Sequence, residues 1–507
     1  MLITNRSALG SRHRLVWCFV TLCLAGSLIS PVVVLGKDPT KYQGTLADGK
    51  TTYLIFVPDN WNGTLFLYSH GLNNDPTDNP AKVSQDKRTQ NWLLDHGYAL
   101  AGGSYPTAGY DPIPFTESQF GVLDRFIEVV GAPTRTIAWG HSFGGSTTGY
   151  LVNARPERFD GALAICPFRL QGSVGNFNER LDHMFVLKTL LGFDEPLVNI
   201  GFGTGQRTRY RDRLWAVLDE AQQTATGRAR LALAEAMVNT PQWGADPFNA
   251  FDVEPAAADY ATRQRNQYLI ARTQWFMDGE RNFYEREIAK QPDLDTWDDP
   301  ASGGDGSVSG ANFSWNTGID YADQLADSAT ADMVTALYAQ AGLALDDDLA
   351  TLAAAPRIAA DPGAVEALQG LEPVFGDIGD VQVMTLALEA DSVVWPNTLE
   401  GYADAIAAFG KSGQLRELWI HRSGHCQFTA AEQIVAIETL LARLDDNPWP
   451  STTAADLNER AAALGSEYNR FVGVSSEFRG QEVAKFSDFE VPLFLRNFNA
   501  GTLNPYP

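Results

Sequence analysis

Arg135-Thr136-Ile137-Ala138-Trp139-Gly140-His141-Ser142-Phe143-Gly144-Gly145 decides how the rest of the chain reads. The apolar run Ile137 to Trp139 predicts a buried strand, and the small, apolar-leaning run from Gly145 to Val152 predicts a helix. Between them stands Gly140-His141-Ser142-Phe143-Gly144, a G-x-S-x-G pattern. A strand that turns this sharply into a helix leaves no room for a Cβ two positions from the serine, and the serine itself must hold a strained backbone. The helix start points backbone N–H groups at the same spot, ready to stabilise an oxyanion. Ser142 is therefore a candidate nucleophile, provided the chain also supplies a base and an acid.

Upstream, Lys41 to Thr45 and Thr51 to Val57 read as strands joined by a turn at Ala47-Asp48-Gly49. Thr64 to Ser69 reads as a strand buried on both faces, and it runs straight into His70-Gly71-Leu72. A His-Gly pair at such an exit leaves a backbone amide, that of Leu72, to face the nucleophile. Thr89 to His96 predicts a helix stopped by Gly97, Tyr98 to Gly102 a strand, and Pro114 to Val130 a helix with an apolar face. Gly161 to Cys166 is the next strand. Strands alternating with helices demand a parallel sheet covered on both faces.

From Gln171 to about Asp380 the alternation stops. The pattern there predicts helices over Arg211 to Thr224, Gly227 to Met237, Ala257 to Lys290 and Thr330 to Ala341, with a polar loop from Gln291 to Gly310. Trp215, Trp243, Trp275, Trp297 and Trp315 make the stretch aromatic-rich, and most such side chains are ordinary core. An insert placed just after a nucleophile strand is expected to form a mainly helical lid. The sheet resumes at Val381 to Leu388, followed by Asp391. Leu415 to Ile420 is the last strand of the pattern, followed by His421-Arg422-Ser423-Gly424-His425-Cys426 and a helix from Ala430 to Leu444. Beyond Asp445 the chain is too apolar for a disordered tail and is expected to pack back on the body. The expected division is thus 1–36 signal, 37–170 and 381–444 core, 171–380 cap, and 445–507 extension.

Composition bounds the partners. A net charge of −24 over 507 residues argues against nucleic acid and anionic membranes. The first 36 residues carry Arg6, Arg12 and Arg14 with no acid, then an apolar run from Leu15 to Ile29 and a small-residue site ending at Gly36. This reads as a secretory signal, giving a secreted protein without a stable membrane anchor. Cys166 and Cys426 are the only cysteines beyond it. An even pair in an exported chain suggests one disulfide, Cys166 to Cys426, holding the histidine loop against the core. No C-x-x-C or H-E-x-x-H motif occurs and seven histidines are scattered, so neither a metal nor a cofactor is expected. Asn62 and Asn312 begin glycosylation sequons.

His70-Gly71, Gly140-x-Ser142-x-Gly144, Asp391 after one strand and Gly424-His425 after the next resemble the α/β-hydrolase fold, which uses the order Ser, Asp, His. Within that fold the chain is similar to secreted bacterial esterase-like hydrolases with a large cap. The His425-Cys426 pair is also similar to feruloyl esterases and tannases, but His141 stands before Ser142 where those carry a cysteine. The resemblance implies Ser142 as nucleophile, His425 as base and Asp391 as its orienting acid, with the amides of Phe143 and Leu72 as the oxyanion hole. His421, four residues upstream of His425, and Asp361, Asp377 and Asp380 are rivals. His70 and His141 read as structural. The expected reaction is hydrolysis of a carboxylic ester, a small-molecule substrate with a bulky apolar or aromatic part. Two other readings stand beside it: an aminopeptidase using Asp278, Glu280 or Glu285 to hold an ammonium, and a non-catalytic binding protein on the same scaffold.

Overall fold

The computed structural model describes residues 38–496, apart from 74, 76, 199–203, 274–277, 289, 291–296, 299–307, 310–311, 446–447 and 472–479. The expected signal segment lies outside the described residues.

The core begins with β1 (Thr40–Thr45) and β2 (Thr52–Val57), an antiparallel pair. Their turn is closed by the Asp48 carboxylate, which accepts from the N–H groups of Lys50 and Thr51 at 2.9 Å each. Then come β3 (Thr64–Ser69), α1 (Lys87–Asp95), β4 (Ala99–Gly103), α2 (Pro112–Val129), β5 (Arg135–His141), α3 (Phe143–Ala154) and β6 (Gly161–Ile165). Gly97 takes φ 82° and ends the turn after α1, as its place in the sequence predicts.

Between β6 and the next core strand lies one long excursion. It contains α4 (Ser173–Leu191), α5 (Thr204–Gln222), α6 (Ala225–Ala236), α7 (Tyr260–Ala271), α8 (Asp278–Ile288), an antiparallel pair of two-residue strands, β7 (Trp297–Asp298) and β8 (Val308–Ser309), then α9 (Tyr321–Asp327), α10 (Ala331–Ala341), α11 (Leu345–Ala354) and α12 (Pro362–Leu371). The single helix expected over Ala257 to Lys290 is two. Thr273 ends the first piece by returning both its N–H and its hydroxyl to the Ile270 carbonyl.

The core resumes with β9 (Gln382–Ala390), α13 (Asn397–Ala408), β10 (Leu415–Ser423) and α14 (Ala430–Asp445). After it, α15 (Ala454–Ala463) and β11 (Phe486–Ser487) lay the extension against the body, β11 pairing antiparallel with β10.

The nine strands run in the order β1-β2-β4-β3-β5-β6-β9-β10-β11. From β4 to β10 every pairing is parallel, whereas β1, β2 and β11 are antiparallel additions at the edges. This is the α/β-hydrolase fold, a mostly parallel sheet with helices on both faces. The two faces differ in size of side chain, as strand alternation allows. One carries Phe66, Tyr68, Ile137, Trp139 and Met384 against α1, α14 and α15. The other carries Leu65, Leu67, Ala99, Ala101, Ala138, Ala162 and Ala164 against α2, α3 and α13. That alanine-rich face lets α3 lie close enough for Gly145 to touch the Ile165 carbonyl, where a Cβ would be 2.6 Å away. The insert packs a separate apolar cluster of its own, in which Leu187, Leu218, Leu233, Ile270, Met333 and Leu352 are buried.

Candidate active site

Ser142 stands between β5 and α3 with φ 56° and ψ −122°, a left-handed backbone that L residues seldom hold. What holds it there is close packing. A Cβ on Gly140 would collide with the Gly144 carbonyl, and one on Gly144 with the Ser69 carbonyl. Both spaced glycines are therefore required by backbone approaching backbone. The Ser142 N–H donates to the Ile165 carbonyl at 3.0 Å, which ties the turn to the neighbouring strand.

Ser142 Oγ lies 2.8 Å from His425 Nε2. His425 Nδ1 lies 2.9 and 3.0 Å from the two carboxylate oxygens of Asp391. Asp391 comes directly after β9 and is 1% exposed. Its Oδ1 also accepts from the backbone N–H groups of Val393 and Val394, each at 2.9 Å. Those donors orient the carboxylate, and its contact with the ring holds the imidazole proton on Nδ1. The structure thus brings together Ser142, His425 and Asp391 from three separate loops.

It leaves the rivals elsewhere. His421 pairs with Glu389 at 2.7 Å on an exposed edge. Asp361 caps α12 by accepting from Gly363 N–H, and Asp377 and Asp380 are exposed. His141 is buried between Tyr68 and Gln433, and burial takes its pKa down to about 3. His70 donates from Nδ1 to the Gly71 carbonyl at 2.7 Å, and burial takes its pKa to about 4. Both are neutral at ordinary pH. Glu285 is bound to Arg281 at 2.8 Å along α8, and the side chains of Asp278 and Glu280 lie outside the described residues.

The His70-Gly71-Leu72 segment runs beside the turn of Ser142. A Cβ on Gly71 would lie 3.4 Å from the His141 carbonyl and 3.6 Å from Ser142 Cβ. Tyr105 anchors the segment, donating its hydroxyl to the His70 carbonyl at 2.6 Å while its ring packs 4.1 Å from the His70 ring. Phe143 is the first residue of α3, so its N–H is one of the helix amides without an intrahelical acceptor. Leu72 and Phe143 share an apolar cluster with Tyr105, Tyr110, Phe115, Phe168, Val393 and Val394. The Phe143 ring meets those of Phe115 at 5.3 Å and Phe168 at 5.6 Å. An aromatic wall therefore adjoins the serine.

Cys166 and Cys426 form a disulfide with Cα atoms 5.5 Å apart. Both cysteines hold positive φ, 41° and 53°, and the Ser142 N–H is 3.3 Å from Cys166 Sγ. The bridge thus links the turn of the serine to the loop of the histidine. Asp391, His425 and Cys426 make up the one grouping of metal-ligand residue types close enough to share an ion among the described residues. Its sulfur is spent in the disulfide, and its imidazole is bound on both nitrogens. Of the sequons, Asn62 is exposed, whereas Asn312 is buried and donates to the carbonyls of Ser314 and Ala359.

Sequence reasoning misses what holds the histidine loop. Arg422 is 1% exposed and donates to both oxygens of Glu432 at 2.7 and 2.9 Å, to Glu482 at 2.9 Å and to the Gln427 carbonyl at 2.9 Å. The insert closes the other side. The His425 N–H donates to the Pro247 carbonyl at 2.7 Å, Ser423 Oγ to the Asn249 carbonyl at 2.8 Å, and Trp243 packs on His421. Only the arginine carries a signal in the sequence, as a charge buried within a strand next to the histidine motif.

No family model matches the chain. It is 30% identical over 451 residues to an o-phthalyl amidase of Xanthobacter agilis, an alignment covering 84% of this chain and 91% of that protein. Similar solved structures include feruloyl esterase B from Aspergillus oryzae, at 13% identity over 81% of this chain and 80% of that one, with a TM-score of 0.35. Another is an esterase from Aspergillus oryzae, at 10% identity over 88% and 85%, with a TM-score of 0.38. The extent of the alignment with the amidase shows the family: the chain is a hydrolase belonging to the family of the Xanthobacter agilis o-phthalyl amidase.

Proposed function

We propose that the chain hydrolyses an amide or ester of an aromatic carboxylic acid through an acyl-enzyme on Ser142. The observation that carries this reading is the unbroken relay from Ser142 Oγ through His425 to Asp391. A serine hydroxyl is a poor nucleophile, so His425 Nε2 takes its proton as Oγ attacks the carbonyl carbon. The tetrahedral oxyanion is received by the N–H groups of Phe143 and Leu72. His425 then gives its proton to the leaving nitrogen or oxygen, the bond breaks, and the acyl group stays on Ser142. Water enters, His425 takes a proton from it, and the resulting hydroxide attacks the acyl carbon. Collapse of the second intermediate releases the acid and returns the proton to Ser142 Oγ.

Amides and esters differ here only in the leaving group, which for an amine must be protonated before it departs. The sequence alone points to esters. The relative's name moves the weight to amides, and the aromatic wall beside Ser142 supports an aryl acyl part. The excursion of α4 to α12 would act as the cap, a role supported by its bonds to the histidine loop. Export is supported by the basic and apolar start of the sequence and by the disulfide.

Labelling with a fluorophosphonate probe, followed by a panel of aryl amides and esters, tests the reading. Stoichiometric labelling that disappears in Ser142→Ala, together with turnover of aryl acyl substrates, is expected. An unlabelled Ser142 in folded protein would overturn it.

A further inference from the structure

The sheet is irregular directly below the acid and the base. β9 and β10 pair in register from Val383 with Leu415 to Leu388 with Ile420. Beyond that point β10 takes three residues to reach Ser423 where β9 takes two to reach Ala390, its next partner. An irregularity of this kind bends a strand and re-aims the residues that follow. Asp391 comes directly after Ala390, and His425 comes two residues after Ser423. The ladder by itself therefore leaves the spacing of these two side chains loosely defined.

A segment of the insert is seated on that pair of strand ends. Gly244 takes φ 73°, and a Cβ there would lie 2.6 Å from the Ala390 carbonyl oxygen and 2.8 Å from Ser423 Cβ. Conformation and fit both exclude a side chain at this position. Further along, the Pro247 carbonyl accepts from the His425 N–H at 2.7 Å, and the Asn249 carbonyl accepts from Ser423 Oγ at 2.8 Å. A Cβ on Gly424 would lie 3.1 and 3.2 Å from these same two oxygens. The Trp243 ring lies 5.3 Å from that of His421, which pairs with Glu389. One short segment thus meets both strand ends, next to Asp391 on one and at His425 on the other.

The segment is closed on itself. The Gly244 N–H donates to the Asp252 carboxylate at 3.1 Å and joins its ends. Between them, Asp246 Oδ1 accepts from the Phe248 N–H at 2.9 Å and Asn249 Oδ1 from the Phe251 N–H at 3.0 Å, side-chain turns that fix the backbone carrying the two carbonyls. Its stem is held by α7, where Gln267 donates to the Thr240 carbonyl and Asn266 to the Gln242 carbonyl, each at 3.0 Å. The carbonyls that hold the histidine loop are therefore fixed to the insert's helices.

We propose that Gly244 to Asp252 is the positioning element of the base, with Gly244 as its positioning residue. Seated between the strand of the acid and the loop of the base, it sets the distance from Asp391 to His425 Nδ1, and with it the aim of Nε2 at Ser142 Oγ. The proposal rests on the reading of Ser142 as nucleophile and His425 as base, and deepens it. An error of about 1 Å in such an arrangement costs about a hundredfold in rate.

The test measures turnover of an aryl ester by two variants, each with and without Asp391→Asn. Gly244→Ala should lower kcat about a hundredfold while KM stays within about threefold. Ser423→Ala, which removes one of the bonds and leaves the backbone free to keep its path, should lower kcat about three- to tenfold. Both losses should shrink to about twofold or less in the Asp391→Asn background, because the pair they act through is already broken. Proton NMR should show the far-downfield Nδ1–H resonance of an imidazole bonded to a carboxylate in the unaltered chain, broadened or lost in Gly244→Ala. An unchanged kcat in the folded variants would overturn the proposal. Equal losses with and without the Asp391 carboxylate would also overturn it, since a structural role acts that way. If Gly244→Ala does not fold, Ser423→Ala decides by the same two criteria. An unaltered chain that takes no fluorophosphonate label would count against the nucleophile, and the proton resonance would still judge the positioning element.

Discussion

The backbone nitrogen of Ser142 lies 3.3 Å from the sulfur of Cys166, and Cys166 is bonded to Cys426, the residue after His425. Ser142 is therefore tied to the loop of His425 by one hydrogen bond and one covalent bond, as well as through the sheet. Cys166→Ala with Cys426→Ala should lower both the melting temperature and kcat. The bridge closes a loop across a sequence separation of 260. Chain entropy sets its stabilisation at about 5 kcal/mol as an upper figure. Thermal unfolding with and without reductant, paired with initial rates, checks this. An unchanged kcat in the reduced, folded protein would show that the bridge serves stability alone.

Ser142→Ala and His425→Ala should each reduce turnover by about 10⁴-fold or more with little change in melting temperature. Asp391→Asn should cost about 10⁴-fold, because an amide at that position favours the wrong imidazole tautomer. Single-turnover kinetics on the folded variants decides the matter.

Arg422→Met should destabilise the protein by about 3–5 kcal/mol, since it leaves Glu432 buried and uncompensated. The double variant with Glu432→Leu should recover much of that loss. Denaturant titration of the four proteins in a double-mutant cycle measures the coupling, and additive losses would refute the pairing as described.

Stability should peak at mildly acid pH, below 6.5. His70 and His141 are held neutral in the fold, with pKa values of about 4 and 3 against an ordinary 6.5. Below pH 6.5 the unfolded chain therefore binds more protons at these sites, and stability falls with acid. Glu179 has the opposite sign. Its folded pKa of about 8 lies above the ordinary 4.5, so stability falls as pH rises from 4.5 toward 8. Glu417, raised to about 7 by burial, has the same sign as Glu179, so the two glutamates offset the two histidines at mildly acid pH and prevail above it. Melting temperature against pH should show this peak, and Glu179→Gln should flatten its alkaline side.

The core was legible because each of its signals has a local physical cause. Gly140 and Gly144 are dictated by carbonyls that a Cβ would strike, and Asp391 and His425 stand where parallel strands end. Ala257 to Lys290 misled because a helical period runs on across the break at Thr273, which side-chain and backbone donation to one carbonyl enforces. Arg422 was legible only as a charge within a strand beside the histidine motif, and Pro247 and Asn249 were not legible as parts of the site. They act through tertiary contacts, two of them through backbone carbonyls that no residue type announces.

The pairing of Gly161 with Gln382 brings the whole insert between two neighbouring strands. A chain emerging from the ribosome therefore completes β5 and the turn of Ser142 long before β9 exists to close the sheet beside β6. Closing so long a loop is entropically costly and kinetically late. Ser142 is made early, with neither Asp391 nor His425 yet synthesised. Until β9 docks, β6 offers an open parallel edge to solvent, the point at which a nascent chain is most open to aggregation or to capture by a chaperone.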